Sequence, residues 1–231
     1  MDKIALVTGT NRGIGLEISK QLVAKGITVI MTARNMQAGR PLVNEFRQQR
    51  KNVWFHHLDV TDEKSIQDIY EYLNNRWGKL DILINNAGVF LDERKSVLDL
   101  DLDSMRSTME TNLYGPLKLV QVMLPLLKNS EGARIINISS TMGQFSIMGG
   151  LSGAYRISKT ALNALTVILS AELSSYGIKV NSVHPGWVKT DMGGPDAIKP
   201  IEEGADTAVW LATADEVPNG KFICERKIIE W

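Results

Sequence analysis

Along the chain, short runs of consecutive apolar or β-branched residues alternate with longer stretches whose apolar positions recur every three or four residues. The short runs cover residues 3–8, 28–33, 52–57, 82–85, 134–139, 179–184 and 221–224. They lack the alternation of a half-exposed strand, which predicts strands covered on both faces, as in a parallel sheet. The longer stretches predict helices. One starts with Thr61 as N-cap and Asp62 and Glu63 in its first turn, places Ile66, Ile69, Tyr70, Leu73 and Trp77 on one face, and stops at Gly78. Strand–helix–strand repetition predicts an α/β fold of the doubly wound Rossmann type. The expected sheet has seven strands, mostly parallel, with helices on both faces.

Two helical stretches, 103–127 and 154–176, are apolar over much of their circumference and so require cover on more than one side. Either a later segment of the chain folds over them or a second subunit does. Little chain remains to act as a cover, so they are expected to form a homodimer or homotetramer interface.

Composition narrows the function classes. The 231 residues contain no repeat, low-complexity segment or Pro/Ser-rich linker, and predict one domain over residues 1–231. Charge is balanced at 26 basic and 26 acidic residues, with no basic face or polybasic run, so neither nucleic acid nor a membrane surface is an expected partner. A single cysteine, Cys224, excludes an internal disulfide framework and suits a reducing compartment. Strand-like residues begin at once, with no leader pattern and no membrane-spanning apolar run. The expected location is the cytoplasm. His56 and His57 have no companions at ligand spacing, so no metal site is expected, and His184 beside Pro185 reads as local structure at a strand end rather than a base.

The first strand runs into "VTGTNRGIGLEISKQL", with Gly9, Gly13 and Gly15 ahead of the first helix. A glycine-rich turn there lets backbone approach a pyrophosphate at the helix N-terminus. With Thr8, the spacing T-G-x-x-x-G-x-G resembles the short-chain dehydrogenase/reductase family. "LDV" at 58–60, "NNAG" at 85–88, "TNLYG" at 111–115, "NISS" at 137–140, "YRISK" at 155–159 and "PG" at 185–186 extend the resemblance over nearly the whole chain. The closing region is similar to the carbonyl reductase branch, without the long insertion that the monomeric animal members carry between their Ser and Tyr.

The resemblance implies a cofactor half in residues 1–100 and a catalytic and substrate half in 101–231. In this fold an NAD site places a carboxylate after the second strand. Here Arg34 stands at that position, and Arg12 and Asn11 lie in the glycine loop. Guanidinium groups suit a 2′-phosphate that a carboxylate would repel, so the expected cofactor is NADPH/NADP+. Further cofactor contacts implied by the family are Ile14 in the glycine loop, Asp59 and Val60 at the adenine, Asn86 near its ribose, and Pro185, Gly186, Val188 and Thr190 at the nicotinamide.

The stretch "NISSTMGQFSIMGGLSGAYRISK" supplies the candidate chemistry. Tyr155 and Lys159 are four apart, so a helix presents both from one face. Such a pair is common by chance, but two serines at the end of the fifth strand place a hydroxyl at the sheet edge where ligands bind. A carbonyl accepting a hydride develops alkoxide charge and needs a proton donor and a hydrogen-bond donor. A phenol titrates at roughly 10 when unperturbed, and a nearby ammonium together with the positive oxidised nicotinamide is expected to pull it down. The resemblance matches Ser140 to the family's catalytic serine, Tyr155 to its acid and Lys159 to its tuning residue, which also holds the nicotinamide ribose. It makes Asn112 a helix-distorting relay residue. Tyr155 lies two residues further from Ser140 than is usual in the family.

The implied activity is NADPH-dependent reduction of a small ketone or aldehyde, with transfer of the pro-S hydride. Two alternatives stand beside it. One is a catalytically silent NADP(H)-binding sensor or scaffold, which would not need Tyr155 and Lys159 together. The other is a sugar-nucleotide epimerase or dehydratase, disfavoured by the short segment after Thr190.

Overall fold

The computed structural model describes residues 3–37, 39 and 52–231; all the candidate site residues lie within these. In chain order the elements are β1 (Ile4–Val7), α1 (Gly13–Ala24), β2 (Thr28–Ala33), β3 (Val53–His57), α2 (Glu63–Trp77), β4 (Ile82–Asn85), α3 (Leu102–Met109), a π-helical turn (Glu110–Tyr114), α4 (Gly115–Lys128), β5 (Arg134–Ile138), α5 (Gly153–Glu172), β6 (Lys179–Val183), α6 (Ile201–Thr213), β7 (Phe222–Cys224) and β8 (Lys227–Ile229). The strands form one sheet in the order β3-β2-β1-β4-β5-β6-β7-β8. The chain reverses direction across the sheet between β1 and β4, which opens a crevice at their carboxyl ends.

Consecutive strand residues feed two separate cores. Ala5, Val7, Val29, Met31 and Ile84 pack with Ile18 and Leu22 of α1 and Ala208 and Val209 of α6. Ile4, Leu6, Ile30 and Leu83 face the other way, toward Ile66, Ile69 and Leu73 of α2, Leu119 and Met123 of α4 and Leu169 of α5. Both faces of β1, β2 and β4 are therefore dry, and this is why these strands read as unbroken apolar runs. In α2 the side chain of Asp62, one residue past the expected cap, accepts from the Lys64 N–H, and Gly78 closes the helix in the left-handed conformation.

The sheet has eight strands rather than the expected seven. β8 returns antiparallel on β7, with Cys224 opposite Lys227. The two-residue turn is made by Glu225 and Arg226, both at positive φ (49° and 60°). Such a turn normally uses Asn or Gly, so the sequence carries no hairpin signal here. Side chains hold it instead: the Arg226 guanidinium pairs with Asp206 of α6, and Glu225 pairs with Lys199.

The expected long helices are also refined. Stretch 103–127 is interrupted by the π-helical turn that contains Asn112, and 154–176 ends in a 3-10 turn over Ser174–Tyr176. Ile157, Val167 and Ile168 of α5 are exposed, as are Leu102 at the start of α3 and Tyr114 in the π-helical turn.

Candidate active site

A cleft of about 550 Å³ runs along the carboxyl edge of the sheet at the crossover between β1 and β4. Among the expected cofactor residues, Gly9, Asn11, Arg12, Gly13, Ile14 and Arg34 line one end. Asp59, Val60 and Asn86 line the middle, and Tyr155, Lys159, Pro185 and Thr190 the other end. Gly15, Asn112, Ser140, Gly186 and Val188 are not themselves part of the lining, in which Ser139 stands next to Ser140.

The amino end of α1 opens into the cleft with no side-chain cap and no acidic residue in its first turn. Its orphan N–H groups and the positive end of its dipole are thus available to an anion. Asn86 fixes the glycine loop from below, its Nδ2 donating to the carbonyls of Thr8 (2.8 Å) and Gly9 (3.1 Å). Any side chain at Gly15 would collide with that amide and with the Gly9 carbonyl, which accounts for the glycine. The loop therefore uses Asn86 as a structural tie. Asp59 Oδ1 accepts from both the N–H and the hydroxyl of Thr61, which fixes the carboxylate at the cleft wall. Arg34 is exposed at the end of β2, while the Arg12 guanidinium reaches Asp191 at 2.8 Å across the mouth.

At the other end, the amino-terminal turns of α5 present Tyr155 and Lys159, which are 7% and 5% exposed. Phe90 stacks on the Tyr155 ring, with centroids 4.3 Å apart. The Ser140 hydroxyl lies near enough to the phenol to pull its pKa down, and its Oγ accepts from the Met142 N–H (3.1 Å). Ser139 is buried, with its backbone N–H on the Val183 carbonyl; adjacent strand residues diverge, leaving Ser140 to face the phenol. Lys159 Nζ donates to the Ile138 carbonyl at 2.8 Å and lies 5.6 Å from the Tyr155 ring centroid.

Burial dominates both titrations. It raises the Tyr155 phenol to about 12, against an opposing pull from the Ser140 hydrogen bond, and lowers the Lys159 ammonium to about 8. The net shift of the phenol is therefore upward, and the pull that opposes burial comes from Ser140. A phenol held protonated at neutral pH is the form a proton donor requires.

Asn112 sits where α3 passes into α4 through the π-helical turn, a distortion frequent at functional sites. Its amide bonds both backbone groups of Val89 at 2.9 Å and the Ser158 hydroxyl at 3.0 Å, joining the loop after β4 to α5. Gly88 lies between Asn112 and Lys159: a Cβ there would sit 3.3 Å from Asn112 Oδ1 and 3.6 Å from Lys159 Nζ. Sequence reasoning named "NNAG" without seeing that Gly88 keeps this approach open.

The Pro185–Thr190 loop is braced from beneath. Val188 bridges in parallel to Lys199, and its side chain packs against Gly204 of α6 rather than facing the cleft. The Lys199 side chain lies under Gly186 and ends on Glu225 at 2.7 Å. Sequence reasoning missed Lys199, because its partner is in the unsignalled β7–β8 turn. His184 was set aside as local structure; its Nδ1 accepts from the Thr141 N–H (3.3 Å), beside Ser140.

Burial, with Lys199 adding to it and Glu225 opposing, lowers His184 to about 4 from its usual 6.5. The folded state thus excludes a proton that the unfolded chain takes up below pH 6.5. Stability from this group is complete above that pH and is lost as pH falls toward 4, to a total of about 3 kcal/mol. Urea unfolding of wild type and His184→Gln across this range should show the wild-type advantage shrinking as pH falls; a flat difference contradicts the assignment.

Among the described residues no His, Cys, Asp or Glu cluster could hold a metal ion, and no helix is long and apolar enough to cross a membrane. A sequence model described as short chain dehydrogenase matches residues 3–199. The chain belongs to the short-chain dehydrogenase family. Among curated relatives of this short-chain dehydrogenase, (+)-neomenthol dehydrogenase of Arabidopsis thaliana is 31% identical, with 99% of this chain and 98% of the relative covered. A carbonyl reductase (NADPH) of Bos taurus is also 31% identical over 99% of this chain and 98% of its own length. That alignment spans 276 positions against the 231 residues here, so the bovine protein carries residues that this chain lacks. The crystal structure of NADPH-bound carbonyl reductase from chicken fatty liver superposes with a TM-score of 0.90 at 34% identity, covering 100% of this chain and 99% of the other.

Proposed function

We propose that this short-chain dehydrogenase is an NADPH-dependent carbonyl reductase that converts a ketone or aldehyde to an alcohol. The observation that carries the reading is the Tyr155 phenol, buried, beside Ser140 and one helical turn from Lys159, in the same cleft as the uncapped end of α1. The names of the bovine and chicken relatives support it.

The residues fit the cofactor. The α1 N–H groups behind Gly13 and Ile14 would take the pyrophosphate, Arg12 and Arg34 the 2′-phosphate, Asp59 and Val60 the adenine, and Pro185 and Thr190 the nicotinamide end. NADPH bound there supplies a hydride to the carbonyl carbon. Tyr155 Oη gives its proton to the carbonyl oxygen as negative charge develops, while the Ser140 hydroxyl donates a hydrogen bond to the same oxygen. Lys159, anchored on the Ile138 carbonyl, holds a positive charge beside the phenolate that this leaves. Asn112 holds the Val89 backbone and Ser158 together, and so fixes the spacing of the reacting groups.

Exposed Leu91, Phe145, Met148, Trp187 and Met192 occur on the segments around Tyr155, which favours an uncharged, apolar carbonyl compound. A panel of such ketones and aldehydes, with NADPH oxidation as the readout, tests the reading. Turnover of at least one supports it; tight NADPH binding without turnover of any would instead favour a silent cofactor sensor.

We further propose that exposed Ile157, Val167 and Ile168 of α5 pack against a second copy, forming a homodimer or homotetramer with the 103–127 stretch. Light scattering should give two or four times the 25.6 kDa chain mass. A monomer at working concentration contradicts this.

A further inference from the structure

The helix that presents Tyr155 has no cap of its own. The residue before α5, Ser152, has φ +54° and Leu151 has φ +64°, so both sit in the left-handed region that side chains disfavour. The Ser152 hydroxyl does not turn back onto the helix; it accepts from the Arg94 N–H at 3.0 Å, and the Ser152 N–H donates to the Lys95 carbonyl at 2.8 Å. The first N–H groups of α5 are instead taken by a carboxylate from another part of the chain. Asp92, in the loop after β4 and fully buried, accepts from the Ala154 N–H at 2.6 Å and from the Tyr155 N–H at 3.2 Å. Two residues earlier, Phe90 stacks on the Tyr155 ring.

We propose that Asp92 is a positioning residue for the reaction: its carboxylate caps the catalytic helix in trans and sets where the Tyr155 hydroxyl meets the substrate carbonyl. This inference rests on the reading of Tyr155 as proton donor. One loop grips Tyr155 at both ends, at its backbone N–H through Asp92 and at its ring through Phe90. The same carboxylate holds residues 151–152 in their strained conformation by fixing the turn that follows them. Without it, two buried N–H groups lose their acceptor, the strained turn relaxes, and the phenol moves relative to Ser140. Misplacement of a reacting group by an ångström costs on the order of a hundredfold in rate. The α1 end of the cleft does not touch Asp92, so cofactor affinity is separable from this effect.

The test compares Asp92→Asn and Asp92→Ala with wild type in steady-state turnover and NADPH fluorescence titration. Asp81→Asn serves as a control, since Asp81 is also a buried carboxylate, accepting from the Ile4 N–H at the opposite end of the sheet. Asn keeps one acceptor and turns a donor toward the second N–H, so kcat should fall about tenfold, and Ala, with neither, about a hundredfold. NADPH affinity should stay within about twofold and carbonyl KM within about threefold in both. Asp81→Asn should lose thermal stability at unchanged kcat. The proposal is overturned if both Asp92 variants keep kcat within about twofold of wild type, or if kcat falls only in step with stability and NADPH affinity. Amide hydrogen exchange separates this from failure of the functional reading, because it needs no turnover. Faster exchange confined to Ala154, Tyr155 and the 92–95 loop in Asp92→Asn supports the cap, and unchanged exchange there overturns it even if no carbonyl is turned over.

Discussion

Tyr155→Phe is expected to lower kcat/KM for carbonyl reduction by about three orders of magnitude while leaving NADPH affinity within about twofold. Only an oxygen is removed: the ring still stacks on Phe90, and Phe fills the same buried space. Folding and cofactor binding should therefore survive. The loss falls on the developing alkoxide, which no longer receives a proton, an effect of roughly 10²–10⁴ in rate for a positioned general acid. The raised phenol pKa of about 12 adds a pH signature. Because the donor is already protonated throughout the neutral range, wild-type reduction should show no loss of Tyr155 protonation between pH 6 and 8. Steady-state kinetics with a turned-over ketone, paired with NADPH titration, checks both. Equal turnover by the variant would contradict the assignment of the proton donor.

The second large effect is on cofactor choice. Arg12→Ala combined with Arg34→Asp should raise the KM for NADPH about tenfold to a hundredfold and leave that for NADH little changed. Hydrogen bonds to a charged group contribute about 1.5–3 kcal/mol each in sheltered sites. Both guanidinium groups are exposed, so screening reduces this to about 1 kcal/mol apiece, and the new carboxylate adds repulsion of the 2′-phosphate. The Arg12–Asp191 pair adds a further cost to NADPH binding in wild type if Arg12 must leave Asp191 to meet the phosphate. Asp191→Asn alone should therefore tighten NADPH slightly. An unchanged NADPH/NADH ratio in the double variant would overturn the charge reading.

How much of this was legible in the sequence differs from element to element. The central parallel strands were readable because both their faces are buried, so that Ala5 and Leu6 are apolar for two different cores. Helix α2 was readable to within a residue because its amino-terminal acids and Gly78 are local signals. The eighth strand was not, because its turn is held by Arg226–Asp206 and Glu225–Lys199, contacts between residues 20 and 26 positions apart. At the site, many of the residues that line the cleft were named from motif spacing, whereas their supports were not. Asp92 reaches Ala154 across 62 residues, and the ties from Asn86 to the glycine loop span 77 or more. No local pattern encodes such pairs. The sign of the Tyr155 shift was also hidden, since spacing places an ammonium nearby but does not say how dry the site is. Burial decided the outcome.

The central claim is that this cleft moves a hydride from NADPH to a carbonyl carbon. Its most direct test is turnover of an apolar ketone with NADPH deuterated at the pro-S position of C4, followed by NMR of the alcohol. The account predicts deuterium on the carbinol carbon, with label appearing in step with cofactor oxidation and about a thousandfold more slowly in Tyr155→Phe. Alcohol formed without deuterium at that carbon, or cofactor bound tightly with no labelled product from any carbonyl tested, would contradict it.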